Sequence, residues 1–339
     1  MTRALIVASA ALLMAAAVPT RAQPAVDFKG KTITFVISFE AGGPYDLYGR
    51  LVARHIGRHL PGNPTVVAQN MPGAGGMRGI NYLYNVAPKD GTSFGVVSQT
   101  VPIGQLLQNA PGIRYDVRKA IWLGRITSNV ELLQSWYPSK FRNIAQAKQR
   151  EVVVAGTGPT SSSVVFPRLM NALIGTHFKT VLGYQGPTSA QLALKRGEVE
   201  AIVKPWSATK VENADLLREH KLFPILQYVT ERNPGLPDTP CVVELGRTPE
   251  QRQIFSLFAS GGSLGTSVLA PPDLTPAVTQ VLRKAFMDTM TDPGLREEAE
   301  KAKIDVDPLP GDRLQKIAGE IFSIAPEVVE RAKEISQSN

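Results

Sequence analysis

Three short stretches place glycines, hydroxyls and one aspartate where an apolar, strand-like run gives way to a helix-like one. They are Gly42-Gly43-Pro44-Tyr45-Asp46, the run Ala155-Gly156-Thr157-Gly158-Pro159-Thr160-Ser161-Ser162-Ser163, and Gly183-Tyr184-Gln185-Gly186-Pro187-Thr188-Ser189. The chemistry they offer is anion capture. A helix start presents N–H groups with no intrahelical partner, glycine lets the backbone come close to a ligand, and hydroxyls add donors without an arginine clamp. Asp46 reads either as an N-cap that fixes its loop or as an acceptor for a ligand hydroxyl or amine. Each stretch alone is also what a plain capped turn looks like; three in equivalent places point to one cleft. A fourth feature, Lys204-Pro205-Trp206 after the run Val199 to Val203, sets an aromatic plate beside a cation. That pair suits a second ligand carboxylate, or else Trp206 packs a hinge.

Other chemistry lacks its parts. Cys241 is the single cysteine of the 339-residue chain, so no intramolecular disulfide forms, and its place between Pro240 and Val242-Val243 reads as packing. A nucleophilic role needs a partner base, and there are four histidines. His55 and His59 lie one helical turn apart but lack the glutamate of a zinc-protease helix, and they read as surface or boundary residues. No Walker A sequence occurs, and the run Gly73 to Gly79 has Arg78 where a dinucleotide fingerprint wants its third glycine. Neither a metal nor a cofactor is therefore expected, and no catalytic residue is named. The net charge of +8 is dispersed: Arg50, Arg54 and Arg58 fall at i, i+4 on what reads as a solvated helix face, which argues against nucleic acid.

Positioning those loops requires strands that end together. In the first third, apolar runs alternate with helical stretches: Ile33 to Phe39, Leu47 to Leu60, Thr65 to Ala68, Gly79 to Val86, Ser93 to Val97. This βαβαβ rhythm predicts a mostly parallel sheet flanked by helices, with ligands at the carboxyl ends of its strands. A second series follows: Val152 to Val154, a helix from about Ser162 to Ile174, Thr180 to Leu182, a helix from about Ser189 to Arg196, and Val199 to Val203. Two half-sheets imply an α/β protein of two lobes. Ile121 to Ser135 and Ser263 to Ala270 are extended-looking and serve as two crossing hinge strands. The tail from Thr275 is helical, broken at Asp292-Pro293-Gly294 and at 308–311, and is expected to pack back on the first lobe. The lobes thus take 26–127 with 264–339, and 128–263. Residues 1–22 read as a secretory signal peptide, with a basic head, an apolar run from Ala4 to Val18 and the small-x-small Thr20-Arg21-Ala22. The expected location is the periplasm; a retained anchor is the alternative.

The ordered set of motifs resembles the solute-binding receptors of tripartite tricarboxylate transporters, the TctC-like or Bug family. Its markers stand here as Phe39-Glu40-Ala41-Gly42-Gly43-Pro44-Tyr45-Asp46, then Gln69 to Gly76, Pro88 to Thr92, Tyr184-Gln185-Gly186, Gly197-Glu198-Val199-Glu200, Leu236 to Pro240 with Glu244, and Ala270 to Pro276. The resemblance implies a two-lobed periplasmic binding protein of type II, a Venus flytrap that is a monomer, captures a small carboxylate and presents it to the permease subunits in the membrane. It implies one ligand carboxylate held on the loops Phe39 to Asp46 and Thr157 to Ser163. Gly42 and Gly43 would give backbone contact, Asp46 would fix the loop, and Thr157, Ser161 and Ser162 would donate. Tyr184, Gly186, Ser98 and the Trp206 region would meet the rest of the ligand. Pro44-Tyr45 departs from the family's small residues, so a phenol enters the pocket and excludes bulky ligands or stacks on an aromatic one. A secreted enzyme using the same cleft, and a sensor lobe serving a membrane signalling partner, are the alternatives.

Overall fold

The structure is a computed structural model and describes residues 26–39, 41–73, 76–107, 112–156, 161–184 and 187–337. The chain opens with β1 (Thr32–Ile37), α1 (Pro44–Ile56), β2 (Thr65–Asn70), α2 (Met77–Asn85), β3 (Ser93–Val97), α3 (Val101–Leu107) and β4 (Ile121–Thr127). β1 pairs in parallel with both β2 and β3, which is the expected βαβαβ unit. All five residues of β3 are buried, as a strand covered on both faces requires.

The second series is β5 (Glu131–Trp136), α4 (Ile144–Ala147), β6 (Val152–Gly156), α5 (Ser162–Ile174), β7 (Phe178–Leu182), α6 (Pro187–Arg196), β8 (Ala201–Pro205), α7 (Trp206–Glu212), α8 (Ala214–Arg218) and β9 (Leu222–Gln227). The chain then returns through α9 (Pro249–Leu264) and β10 (Thr266–Ala270). It ends in α10 (Pro276–Thr291), α11 (Pro293–Lys301), β11 (Leu309–Pro310), α12 (Gly311–Ile321) and α13 (Pro326–Gln337). Two sheets result, in the orders β11-β4-β10-β3-β1-β2 and β7-β6-β8-β5-β9. Both are mixed rather than mostly parallel. β10 runs antiparallel to β3 and β4, and β5 antiparallel to β8 and β9; these are the strands by which the chain enters a sheet from the other one.

Those passages differ in detail from two continuous crossing strands. The first breaks at 128–130, between β4 and β5, and in the second Ser263 and Leu264 are still helical. Each is a short joint between regular elements. The joints touch: the Asn129 N–H donates to the Gly262 carbonyl at 3.0 Å, and Thr266 pairs with Thr127. Gly265 turns the chain at φ +53°, and a Cβ there would lie 2.1 Å from the Thr127 carbonyl oxygen, so no side chain fits.

The tail does pack on the first sheet, with α10 and α12 against β4 and α11 against α1. Its last helix goes further. α13 lies against α5 of the second series as well as α3 and α9, and buries Val328, Ala332 and Ile335 there. That apolar contact is continuous with a core holding Val36 and Trp122 from the first sheet's strands and Phe141 and Val152 from the second series.

Candidate functional site

The loop after β1 is fixed by its own aspartate. α1 starts at Pro44, whose fixed φ and missing N–H suit the first helical position, so Gly43 is the N-cap and Asp46 stands two residues inside rather than at the cap. From there its buried carboxylate reaches back to the Gly42 N–H at 2.9 Å and accepts from Arg50 Nε at 2.9 Å and Asn70 Nδ2 at 2.8 Å. Burial alone would raise its pKa, but the hydrogen bonds from Gly42, Arg50 and Asn70, with the Arg50 charge, hold it below the usual carboxylate value. Arg50 in turn donates to Asn70 Oδ1 at 2.7 Å, and Asn70 donates to the Phe39 carbonyl at 2.9 Å. Arg50, read as part of a solvated face, is therefore a loop brace whose outer edge meets water. With Asp46 occupied in this way, the N–H groups of Gly43, Tyr45 and Asp46 are left without acceptors among the described residues.

Tyr45 stacks on Phe39, ring centroids 4.1 Å apart and ring planes nearly parallel. Its phenol accepts from the Gln99 N–H at 3.3 Å and bonds the Ser98 hydroxyl, which lies 2.8 Å from Thr100 Oγ1. The structure thus brings Phe39, Gly42, Gly43, Tyr45, Asp46 and Ser98 together at the carboxyl ends of β1 and β3. On the second sheet, Ser161 is the N-cap of α5 and its hydroxyl lies 2.8 Å from that of Ser163, with Ser162 as the first helical residue. Tyr184 packs over the Ala155, Ala190 and Ile202 cluster. Thr157 and Gly186 lie outside the described residues.

The two readings of Lys204-Pro205-Trp206 separate here. Trp206 packs against Val130, Leu132, Val229, Leu236 and Cys241, beside the joint, and its N–H donates to the Val130 carbonyl at 2.8 Å. Lys204 is almost fully buried and its ammonium is already held by Gln191 Oε1 at 2.5 Å and Glu212 Oε2 at 2.6 Å. It contacts protein acceptors, not an open cleft.

Residues that sequence reasoning passed over surround the joint. Glu131 opens β5, and its carboxyl accepts only a long bond from Asn129 Nδ2 at 3.3 Å. The residue keeps some surface open, yet the carboxyl is deep enough among protein atoms that desolvation pushes its pKa up to about 7. Its charge also disfavours ionisation of Tyr45 and Tyr228, on opposite sides of the cleft. The sequence signal was available: a charge inside the apolar run Val130-Glu131-Leu132-Leu133.

The nucleophile and metal readings find no support in the geometry. Burial pushes the Cys241 thiol up, with the Glu244 carboxylate adding to the rise, and its Sγ sits 3.7 Å from the Thr230 carbonyl. His55, buried rather than at the surface, contacts Glu298 at 2.6 Å and ties α1 to α11, and His59, just past α1, contacts Asp292, the N-cap of α11, at 2.9 Å. Gly261-Gly262-Ser263-Leu264-Gly265 has the G-x-S-x-G spacing of a nucleophile elbow, a motif that sequence reading took to be absent. It forms the end of a helix entering a strand, the reverse of the strand-to-helix turn such an elbow needs. Among the described residues no group of three or more His, Cys, Asp or Glu could hold a metal ion, and no helix is long and apolar enough to cross a membrane. The expected signal peptide lies outside the described residues.

Known proteins are similar to this chain in sequence and in fold. The family described as "Tripartite tricarboxylate transporter family receptor" matches residues 49–337. A curated protein of Cupriavidus necator, the UPF0065 protein in the gbd 5' region, is 27% identical over 317 residues, covering 90% of this chain and 88% of its own. A ligand-free TctC solute-binding protein from Polaromonas superposes with a TM-score of 0.68 at 18% identity, covering 90% of this chain and 97% of that one. MatC of Rhodopseudomonas palustris, with bound malate, superposes with a TM-score of 0.57 at 21% identity, covering 90% and 99%.

Proposed function

This chain belongs to the tripartite tricarboxylate transporter receptor family, and from that premise we propose that it is a periplasmic receptor that captures a small organic carboxylate between its lobes and delivers it to a membrane permease of the tripartite tricarboxylate type. The observation that carries the reading is the loop 39–46. Asp46, Arg50 and Asn70 satisfy one another, so the start of α1 offers N–H donors and no competing charge to a ligand carboxylate. The malate held by a protein of the same fold supports the substrate class.

In this reading Gly42 and Gly43 give the backbone approach and Ser161 and Ser162 donate from the opposite lobe. Ser98 and Tyr45 shape the floor of the cleft, and Tyr184 lines its wall. Trp206 acts one step removed, packing the joint on which the lobes move. Capture works by population shift: a ligand touching both lobes favours the closed form by its extra contacts there. In this reading the chain acts as a receptor, and a secreted enzyme using the same cleft is the alternative that recovery of the acid unchanged tests.

The test is a thermal-shift screen from Gln23 onward against aliphatic and aromatic mono-, di- and tricarboxylates, followed by calorimetry. A ligand at about 100 times its dissociation constant stabilises the fold by roughly 2.7 kcal/mol. The expected result is stabilisation by one class of acids, with the acid recovered unchanged. Turnover of the acid, or silence from every acid with protein shown to be free of co-purified ligand, overturns the reading.

A further inference from the structure

Between the two joints lies a polar cluster that carboxylate capture by the loop 39–46 does not use. Glu131 and Tyr228 are cross-strand neighbours: the Tyr228 N–H donates to the Glu131 carbonyl at 2.8 Å, and the flanking pair is Leu132 with Gln227. Paired residues project from the same face of a sheet. Their side chains therefore leave on the side opposite Leu132, which is buried with Trp206. On that side Tyr228 stacks on Phe166 of α5, ring centroids 4.0 Å apart, about one turn from the Ser161–Ser163 helix start. Tyr45 of α1, on the first sheet's side, lies within electrostatic range of the Glu131 charge. The cluster is thus bounded by the elements that carry the proposed anion loops.

Its members are short of partners. The Tyr228 hydroxyl is buried and unbonded. The Glu131 carboxyl has one long bond, from Asn129, and no lysine, arginine or histidine among the described residues pairs with it. The groups facing it are Asn129 from its own segment, Tyr45 from α1 and Tyr228 beyond β9, none of them positive. A buried carboxylate that only uncharged groups surround is costly unless something brings it a cation or donors. The charged pairs elsewhere in this protein show the contrast: Lys204 has Gln191 and Glu212, and Asp46 has Arg50 and Asn70.

We propose that Glu131 is the specificity-determining residue of the cleft and that the ligand is a zwitterion, its carboxylate on the loop 39–46 and its ammonium on Glu131 and the Tyr228 hydroxyl. The assignment rests on the receptor reading and narrows its substrate class to small acids that also carry a positive amino group. The raised pKa of the empty cleft agrees with it: an arriving ammonium favours the ionised carboxyl and expels a proton, whereas the second carboxylate of a plain diacid favours the protonated one and takes a proton up.

The test compares acids that differ only by an ammonium, succinate with aspartate and glutarate with glutamate, by calorimetry at pH 7 in buffers of different ionisation heat. The expected result is binding of the ammonium-bearing member at least about 10-fold tighter, with release of about half a proton at a pH equal to the carboxyl's pKa. Glu131→Gln, verified as folded by circular dichroism, reduces that preference by about 10-fold or more and abolishes the proton release. Equal or tighter binding of the plain acids with proton uptake, or a preference that Glu131→Gln leaves unchanged, overturns the zwitterion and leaves the receptor standing. Failure of both kinds of acid to bind overturns this assignment, while the receptor reading falls only if the wider screen of acids is silent as well.

Discussion

Asp46 and Glu131 are both carboxylates near the cleft, and their surroundings push them in opposite directions. Asp46 has donors on every side, so its ionised form is favoured in the folded state; the stability it contributes is present above its ordinary pKa and is lost as the pH falls through the depressed folded value. Asp46→Asn leaves the Arg50 guanidinium without its counter-charge and replaces an acceptor by a donor facing Asn70. The expected cost is about 1–3 kcal/mol in urea unfolding, with ligand binding weakened at least 10-fold in calorimetry. For Glu131 the folded pKa is raised to about 7, so between its ordinary value and 7 the folded state holds the extra proton. Stability from this group is present at pH 5 and falls as the pH rises. Glu131→Gln is therefore expected to raise the melting temperature of the empty protein more at pH 8 than at pH 5, measured against the unmutated chain in the same buffers. Sequence alone could place Asp46 at a loop-to-helix junction because the glycines and proline mark that junction. It could not supply Asn70, which is distant in the chain, or tell which way Arg50 turns along its helix.

The elements were legible where periodicity and punctuation agree. α5 and β3 fall where the pattern places them, and β1, β2, α2 and α6 differ only at their ends. What the pattern could not give was direction and the break within a crossing. An extended-looking run such as Ile121 to Ser135 does not show that three residues in its middle turn from one sheet to the other, because apolar character continues through the joint. α9, which leads the second crossing back, is anchored by local chemistry. Thr248 Oγ1 accepts from the Gln251 N–H at 3.2 Å while the Gln251 side chain accepts in return from the Thr248 N–H at 3.4 Å. Thr248→Ala removes that reciprocal cap and is expected to cost about 1 kcal/mol in chemical denaturation. At the other end of the helix Gly265→Ala demands a larger change, since the added methyl meets the Thr127 carbonyl and the backbone has positive φ. The expected outcome is a loss of several kcal/mol or failure to accumulate folded protein, read by melting temperature and soluble yield.

At the scale of the whole molecule, the two lobes meet through adjacent joints and through α13, which touches the second series while the rest of the tail holds the first sheet. The proposed closure would change the angle between lobes about the joints, and a saturating ligand is then expected to lower the radius of gyration in small-angle scattering while leaving the far-ultraviolet spectrum unchanged. An unchanged scattering profile on saturation would count against closure. The sheet orders carry another consequence, for the schedule on which the molecule can be built. β10 stands in the middle of the first sheet, between β4 and β3, yet it lies in the chain beyond every strand of the second. A growing or partly delivered chain can therefore complete the second sheet while the first still has two unpaired strand edges facing the place of an absent neighbour. Loop closure across the intervening lobe must come before that gap is filled, so the first sheet is the slow step in folding, and a chain cut short before Thr266 leaves sticky edges rather than half a receptor.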